Sequence, residues 1–240
     1  MALPNLKEQQ SATTIELPSG KNVGIFPWRV KEEKELLFAL ENLDQENESY
    51  QLNAKREMFK FISKCVDVDK FDELSSTDLL KIASELRKMS KREFIDFNYT
   101  CPHCEFKDEN RVDLNKDVVV KKFDRTQIKI NDLLINLKEP THIELLGIIE
   151  KSNNSVVKFE YEYILNSILS FIYKDELYQG FTKEELGEFI DGMTTIDYEI
   201  LNREITSRMA SVEIKKKYKC IKCKKEVEVN FGDLYDFLIL

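Results

Sequence analysis

Two Cys-x-x-Cys pairs, Cys101/Cys104 and Cys220/Cys223, restrict this 240-residue chain more than any other feature. Two residues between cysteines let one tight turn aim both sulfurs at a single ion, while backbone amides of the turn donate to those sulfurs. Two such turns facing each other complete a tetrahedron with metal–sulfur bonds of about 2.3 Å. A fold built on that site must bring residue 220 back to residue 104. The surroundings of the pairs also match. A shift of 119 positions lays Cys101 on Cys220, Cys104 on Cys223, Tyr99 on Tyr218 and Ile95 on Ile214. Each unit reads strand, Tyr-x-Cys-x-x-Cys, strand, which is the pattern of a zinc ribbon.

The expectation is one structural zinc ion on Cys101, Cys104, Cys220 and Cys223. Four protein ligands leave no position for water, so such a site holds a fold together and does not hydrolyse. A thioredoxin-like redox pair would open a helix, whereas the residues after each pair here look extended. Disulfides are rare in a reducing compartment. Iron stays open beside zinc, because four cysteines suit both metals. Cys65 falls on a helical stripe with Phe61 and Ile62 and reads as a small buried hydrophobe. His103, inside the first turn, reads as exposed and uncoordinated, and His142 as a helix first-turn residue with no special role.

Charge bears on the partner. The net charge of -8 repels a phosphate backbone overall. Yet Lys215, Lys216, Lys217, Lys219, Lys222, Lys224 and Lys225 crowd the second turn. They could contact nucleic acid, or offset the formal -2 charge of zinc with four thiolates. Net acidity and the lack of an aromatic platform beyond Tyr218 favour the second reading. No apolar run reaches the roughly 18 residues of a membrane span, and Met1–Gln10 has no signal-peptide pattern. The expected setting is a reducing cytosol. The chain lacks a phosphate-cradling glycine loop, a Gly-x-Ser-x-Gly elbow and a His-Glu-x-x-His pair, and it has only two histidines. A non-enzymatic protein without a small-molecule substrate is expected.

Periodicity places the elements. Thr13–Arg29 reads as a hairpin about Pro18-Ser19-Gly20. Apolar residues recur at helical spacing in Val30–Leu43, Tyr50–Val66 and Ser75–Met89. Ile95, Phe97 and Tyr99 then alternate with polar residues and run into the first cysteine pair. Val118–Val120, Ile128–Ile130 and Leu133–Leu137 read as further strands. Thr141 and Glu144 have capping-box spacing for a helix to about Glu150. Residues 151–155 read as a loop, and Phe159–Tyr173 as a helix with Ile164, Leu165, Ile168, Leu169 and Ile172 on its core face. Thr182/Glu185 and Thr194/Asp197 start two more helices, the last reaching about Met209. Strands return at Val212–Tyr218 and Glu226–Phe231 around the second pair. The apolar tail from Leu234 to Leu240 is either a partner surface or a segment docked on its own core.

The fold class expected is α+β, a helical body with a β region containing a split four-cysteine zinc ribbon. Its sections are an N-terminal hairpin and helical region (1–92), a β region with the first half-site (93–140), a helical region (141–210), and the second half-site with the tail (211–240). They are read as one integrated domain. The layout resembles a family of baseplate hub and hub-assembly proteins of large contractile-tailed bacteriophages. The resemblance rests on Glu16-Leu17-Pro18-Ser19-Gly20, on Tyr99-Thr100-Cys101-Pro102-His103-Cys104 after a helical section, and on the segment from Ile130 to Thr141, in that order. It implies a structural component or assembly factor that contacts other baseplate or hub proteins. It also implies a location in the host cytoplasm during assembly and in the virion tail baseplate.

Overall fold

The protein is described by a computed structural model over residues 12–44, 49–124 and 127–239. The reading of Met1–Gln10 and the last residue of the tail lie outside this range. The chain opens with strands β1 (Thr13–Glu16) and β2 (Asn22–Ile25). They pair antiparallel across a turn closed by Gly20 N–H to Leu17 O at 2.8 Å. Gly20 has φ 86, a region costly for side-chain-bearing residues, so the glycine suits this corner. Helices α1 (Val30–Glu41) and α2 (Tyr50–Ser63) follow, then the short strand β3 (Val66–Asp67), which pairs with β2, and helix α3 (Ser76–Ser90). Leu79, Ile82 and Leu86 of α3 are fully buried with Ile25 and Ile62. Each such side chain contributes roughly 1.5–3 kcal/mol relative to exposure. Asp78, in the first turn of α3, is itself buried, and its Oδ1 accepts the Ser19 N–H at 3.0 Å. One carboxylate thus ties the hairpin turn to α3.

Next come β4 (Phe94–Thr100), β5 (Lys107–Asp113) and β6 (Val118–Lys121). The chain then builds a second compact unit, Asp72–Ser76 with Lys121–Ser211, before it returns to the first, Met1–Phe71 with Thr77–Val120 and Val212–Leu240. The second unit holds a four-stranded sheet in the order β10-β9-β8-β7, from β7 (Ile128–Ile130), β8 (Leu133–Leu137), β9 (Ile168–Tyr173) and β10 (Glu176–Gln179). Its helices are α4 (His142–Ser152), α5 (Val156–Ser167), α6 (Lys183–Asp191) and α7 (Thr195–Arg208). Ile128, Ile135, Ile164, Leu186, Leu201 and Ile205 form the centre of its core. The capping boxes are made as expected. Glu144 N–H donates to Thr141 Oγ1 at 3.2 Å and Thr141 N–H to Glu144 Oε2 at 2.9 Å. Thr182 and Glu185 repeat the exchange at 3.1 and 2.7 Å.

One expected helix is cut short. Phe159–Tyr173 divides into the end of α5 and strand β9. Asn166 Nδ2 and Ser167 Oγ donate back to the carbonyls of Glu162 and Tyr163, occupying acceptors of the last turn. Beyond them Ile168–Tyr173 is rich in β-branched and aromatic residues and finds β8 on one side and β10 on the other. Leu169, expected on the core face, is exposed. α5 also starts three residues earlier than expected, at Val156 with Ser155 as its cap, and α4 runs on to Ser152.

On return, β11 (Ser211–Lys219) and β12 (Glu226–Phe231) pair antiparallel, and β11 also joins β6. The tail then forms the short helix α8 (Leu234–Leu238). Leu234, Phe237 and Leu238 are buried, so the tail docks on its own core and is not a free apolar surface. Arg87 Nη1 donates to Phe237 O at 3.3 Å, and Lys55 pairs with Asp233 at 2.8 Å. The chain is α+β throughout.

Candidate metal centre

The two cysteine turns sit at the ends of equivalent hairpins. In β4–β5, Ile95 faces Val112, Tyr99 faces Asp108 and Thr100 faces Lys107. In β11–β12, Ile214 faces Phe231, Tyr218 faces Val227 and Lys219 faces Glu226. The 119-residue shift carries each of these pairs of the first hairpin onto a pair of the second. It also carries over the turn backbone. Cys101 N–H donates to Phe106 O at 2.9 Å and Glu105 N–H to Cys101 O at 2.8 Å. The counterparts are Cys220 N–H to Lys225 O at 3.0 Å and Lys224 N–H to Cys220 O at 2.9 Å. Glu105 (φ 56) and Lys224 (φ 64) take the same left-handed conformation.

The four sulfurs all lie within 4.8 Å of one another. Cys101 Sγ is 3.7 Å from Cys223 Sγ, and Cys104 Sγ is 3.7 Å from Cys220 Sγ. The first cysteine of each turn thus meets the second of the other, the reciprocity that a two-fold arrangement imposes. A disulfide requires about 2.05 Å, so these are separate thiols. A tetrahedron with metal–sulfur bonds of about 2.3 Å has edges of about 3.8 Å, close to the observed separation. The four cysteines could therefore hold a metal ion.

The surroundings suit that use. Cys101 and Cys220 are buried, while Cys104 and Cys223 are half-buried. Tyr99 and Tyr218, equivalent under the 119-residue shift, meet edge to face, 4.8 Å apart at 87°. Their hydroxyl oxygens are buried near the Cys101 thiol, outside hydrogen-bond geometry. A charged sulfur beside them would be a ready acceptor. Burial opposes charge on the Cys101 thiol, but the His103 amide and neighbouring donors outweigh it and bring the pKa down to about 6. At Cys104 the Phe106 amide pulls the other way, yet burial and the three neighbouring thiols push the pKa up to about 11. A bound cation would favour the charged form of its sulfur ligands.

The remaining candidates fall outside this cluster. His103 is exposed. Cys65 is buried, and burial pushes its thiol up to about 12, the behaviour of an inert core residue. His142, read as unremarkable, is nearly fully buried in the second unit, with Nδ1 2.9 Å from Leu74 O. Burial lowers its pKa and keeps the ring neutral. The sequence signal for this is faint, because residue 142 is held in place by Leu74 and by a bridge between Ser75 and Thr141, distant in the chain. Of the lysines, Lys215 pairs with Glu213 at 2.9 Å, Lys216 with Asp117 at 3.0 Å and Lys217 with Glu228 at 3.7 Å. Lys222 Nζ lies 5.9 Å from the Phe106 ring centre. Among the described residues no helix is long and apolar enough to cross a membrane.

A family model described as T4 bacteriophage base plate protein matches residues 10–239. Neither the curated proteins nor the solved structures contain a match.

Proposed function

The chain belongs to the T4 bacteriophage base plate protein family, and on that premise we propose a structural component or assembly factor of the baseplate hub. It acts by protein–protein contact and carries one structural zinc ion on Cys101, Cys104, Cys220 and Cys223. The observation that carries the metal part is the meeting of four thiols within 4.8 Å of one another, two pairs of them at 3.7 Å, from two hairpins 119 residues apart. The residues have separate tasks. The two turns each supply a pair of thiolates and amides that face them. Tyr99 and Tyr218 close the site from the hairpin side, and Val227 and Phe106 exclude water around it. When bound, zinc supplies a fixed four-coordinate link and no open position for substrate.

The link acts within the first unit, where it joins two hairpins that the second unit separates in sequence. Closing so long a loop removes much freedom from the unfolded chain. The alternative, a nucleic-acid-binding ribbon, has less support, since three of the seven lysines are already paired with carboxylates in their own sheet. The lysines nearer the second turn, Lys219, Lys222, Lys224 and Lys225, offset charge around the thiolates instead. The protein joins other phage proteins in the host cytoplasm and in the tail baseplate.

The test is co-expression of the tagged full chain with each hub and baseplate protein of the same phage, followed by co-purification and metal analysis. The expected result is a salt-resistant complex with at least one of them and one zinc per chain. Metal-free protein from chelator-free preparations would remove the zinc reading. Salt-sensitive retention of DNA or RNA with no protein complex would replace the baseplate reading by the nucleic-acid one.

A further inference from the structure

We propose that the outer edge of β10 is the docking site for an extended strand of another baseplate protein, which adds to the four-stranded sheet and seats one apolar side chain in an adjoining aromatic pocket. This rests on the reading of the chain as a baseplate protein that works by contact.

The two edges of the sheet differ. At β7, helix α7 packs alongside, Asn131 Nδ2 reaches Asp197 Oδ1 at 3.0 Å, and Lys129 sits within the strand. At β10, all four residues are exposed and no strand pairs with the outer side among the described residues. Natural sheets blunt such edges with charged residues, above all lysine, with proline, a bulge or a covering helix, or by keeping the strand very short. Glu176–Gln179 contains neither lysine nor proline, and its register with β9 is unbroken.

The geometry specifies a strand as the occupant. Lys174 (φ 49) and Asp175 (φ 64) form a two-residue turn, with Tyr173 opposite Glu176. In such a hairpin the flanking pair exchanges both hydrogen bonds, and the pattern then alternates. Glu176 and Tyr178 therefore spend their backbone groups on β9, while those of Leu177 and Gln179 face outward. Only another extended backbone matches that spacing. Beside this edge lies a cavity of about 500 Å³ lined by Phe171, Leu177, Tyr178, Phe181, Leu186 and Phe189. The Phe171 ring stacks on Tyr178 at 5.1 Å, on Phe181 at 5.5 Å and on Phe189 at 4.5 Å. Leu177 is 55% exposed and Phe189 36%. A backbone ladder with a side-chain pocket beside it is the arrangement of strand addition, in which the ladder gives affinity and the pocket gives specificity.

A second copy fits less well. Two-fold pairing of β10 with itself must oppose residues of the same face. It sets Glu176 against Tyr178, which places a carboxylate over the aromatic pocket, or it sets Tyr178 against Tyr178, which crowds two rings into one place. A partner strand with an aliphatic or aromatic residue opposite Tyr178 has neither fault.

The test is hydrogen exchange on the full chain, alone and mixed with each purified baseplate protein of the same phage. Wild type is compared with Leu177→Lys and Phe189→Ala, both first checked for an unchanged unfolding midpoint. With one partner, exchange at the Leu177 and Gln179 amides should slow, and Leu177→Lys should weaken that complex about tenfold or more. Phe189→Ala should weaken it while leaving the amides protected at saturating partner. A complex in which these amides exchange at the free rate overturns the docking site and leaves the baseplate reading intact. No complex with any baseplate protein overturns both. Protection that grows with the concentration of the chain alone overturns the choice of occupant in favour of a second copy.

Discussion

Cys101 and Cys220 are buried first cysteines of equivalent turns, so losing either leaves three sulfurs and a gap in a closed site. Cys101→Ser and Cys220→Ser should each abolish stoichiometric zinc and destabilise the fold by about 4 kcal/mol or more, the range that loss of a metal site produces. Zinc content and denaturant unfolding check this, with Cys65→Ala as a comparison that keeps full metal occupancy. An unchanged unfolding midpoint in Cys220→Ser would mean that the two turns do not share an ion. Reversal of Lys215, Lys217 and Lys224 to Glu should leave zinc content intact, because none of the three is a ligand. Its stability cost should be modest, read as a small fall in the unfolding midpoint. At this scale spacing alone named the four cysteines that the fold brings together, and the 119-residue shift aligned Tyr99 with Tyr218 without foretelling their contact. Asp78 and His142 were not legible. Their burial comes from Ser19 and Leu74, and a residue's own neighbours in sequence carry no mark of partners that far away.

Elements with chemical punctuation were read well, and the one change of element that lacks it was missed. The Thr141/Glu144 and Thr182/Glu185 boxes mark helix starts because side chain and amide satisfy each other locally. Thr182→Ala should therefore cost about 1 kcal/mol, read as a lower unfolding midpoint. The change from α5 to β9 has no such mark. Apolar residues at 164, 165, 168, 169 and 172 suit a helical period, and β9 forms because β8 and β10 complete its ladder. Its turn at Lys174-Asp175 uses two residues without the usual glycine or asparagine, so β10 was missed as well. The tail helix α8 gives a clear energetic test. Phe237 has no exposed surface, and Phe237→Ala should cost about 3–5 kcal/mol. A truncation before Phe237 that stays folded would show that the tail is dispensable. Asp233 adds a pH dependence to the same element. Burial would raise its pKa, but the Lys55 ammonium and the amides of the helix start hold it below the usual carboxylate value. A carboxyl whose folded pKa is depressed stabilises fully above its unfolded pKa of about 3.9 and loses that contribution as the pH falls through the folded value. Asp233→Asn should flatten the acid limb of the stability curve below pH 4 and leave its slope near neutrality unchanged.

At the scale of the molecule, the chain leaves its first unit after β6, builds the second, and returns with β11, β12 and α8. Propensity cannot reveal this excursion, because each segment taken alone is an ordinary helix or hairpin. The cysteine spacing could reveal it, since a shared ion requires residue 220 to come home to residue 104. The consequence is an uneven response to metal removal. The candidate ligands all lie in the first unit, on the β4–β5 and β11–β12 hairpins, whereas the sheet of β7 to β10 has its own buried core of Ile128, Ile135, Ile164 and Leu201. Stability is not uniform across a structure, and local opening follows the interactions that are lost. Chelation of the full chain should therefore speed amide exchange first in β4, β5, β11 and β12, while β7, β8 and β9 keep their protection at the same chelator concentration. Hydrogen exchange read by mass spectrometry separates these segments. Exchange that rises in both sets together would mean that the metal sets the stability of the whole chain as one cooperative block. Unchanged exchange in β11 and β12 would mean that their ladder stands without it.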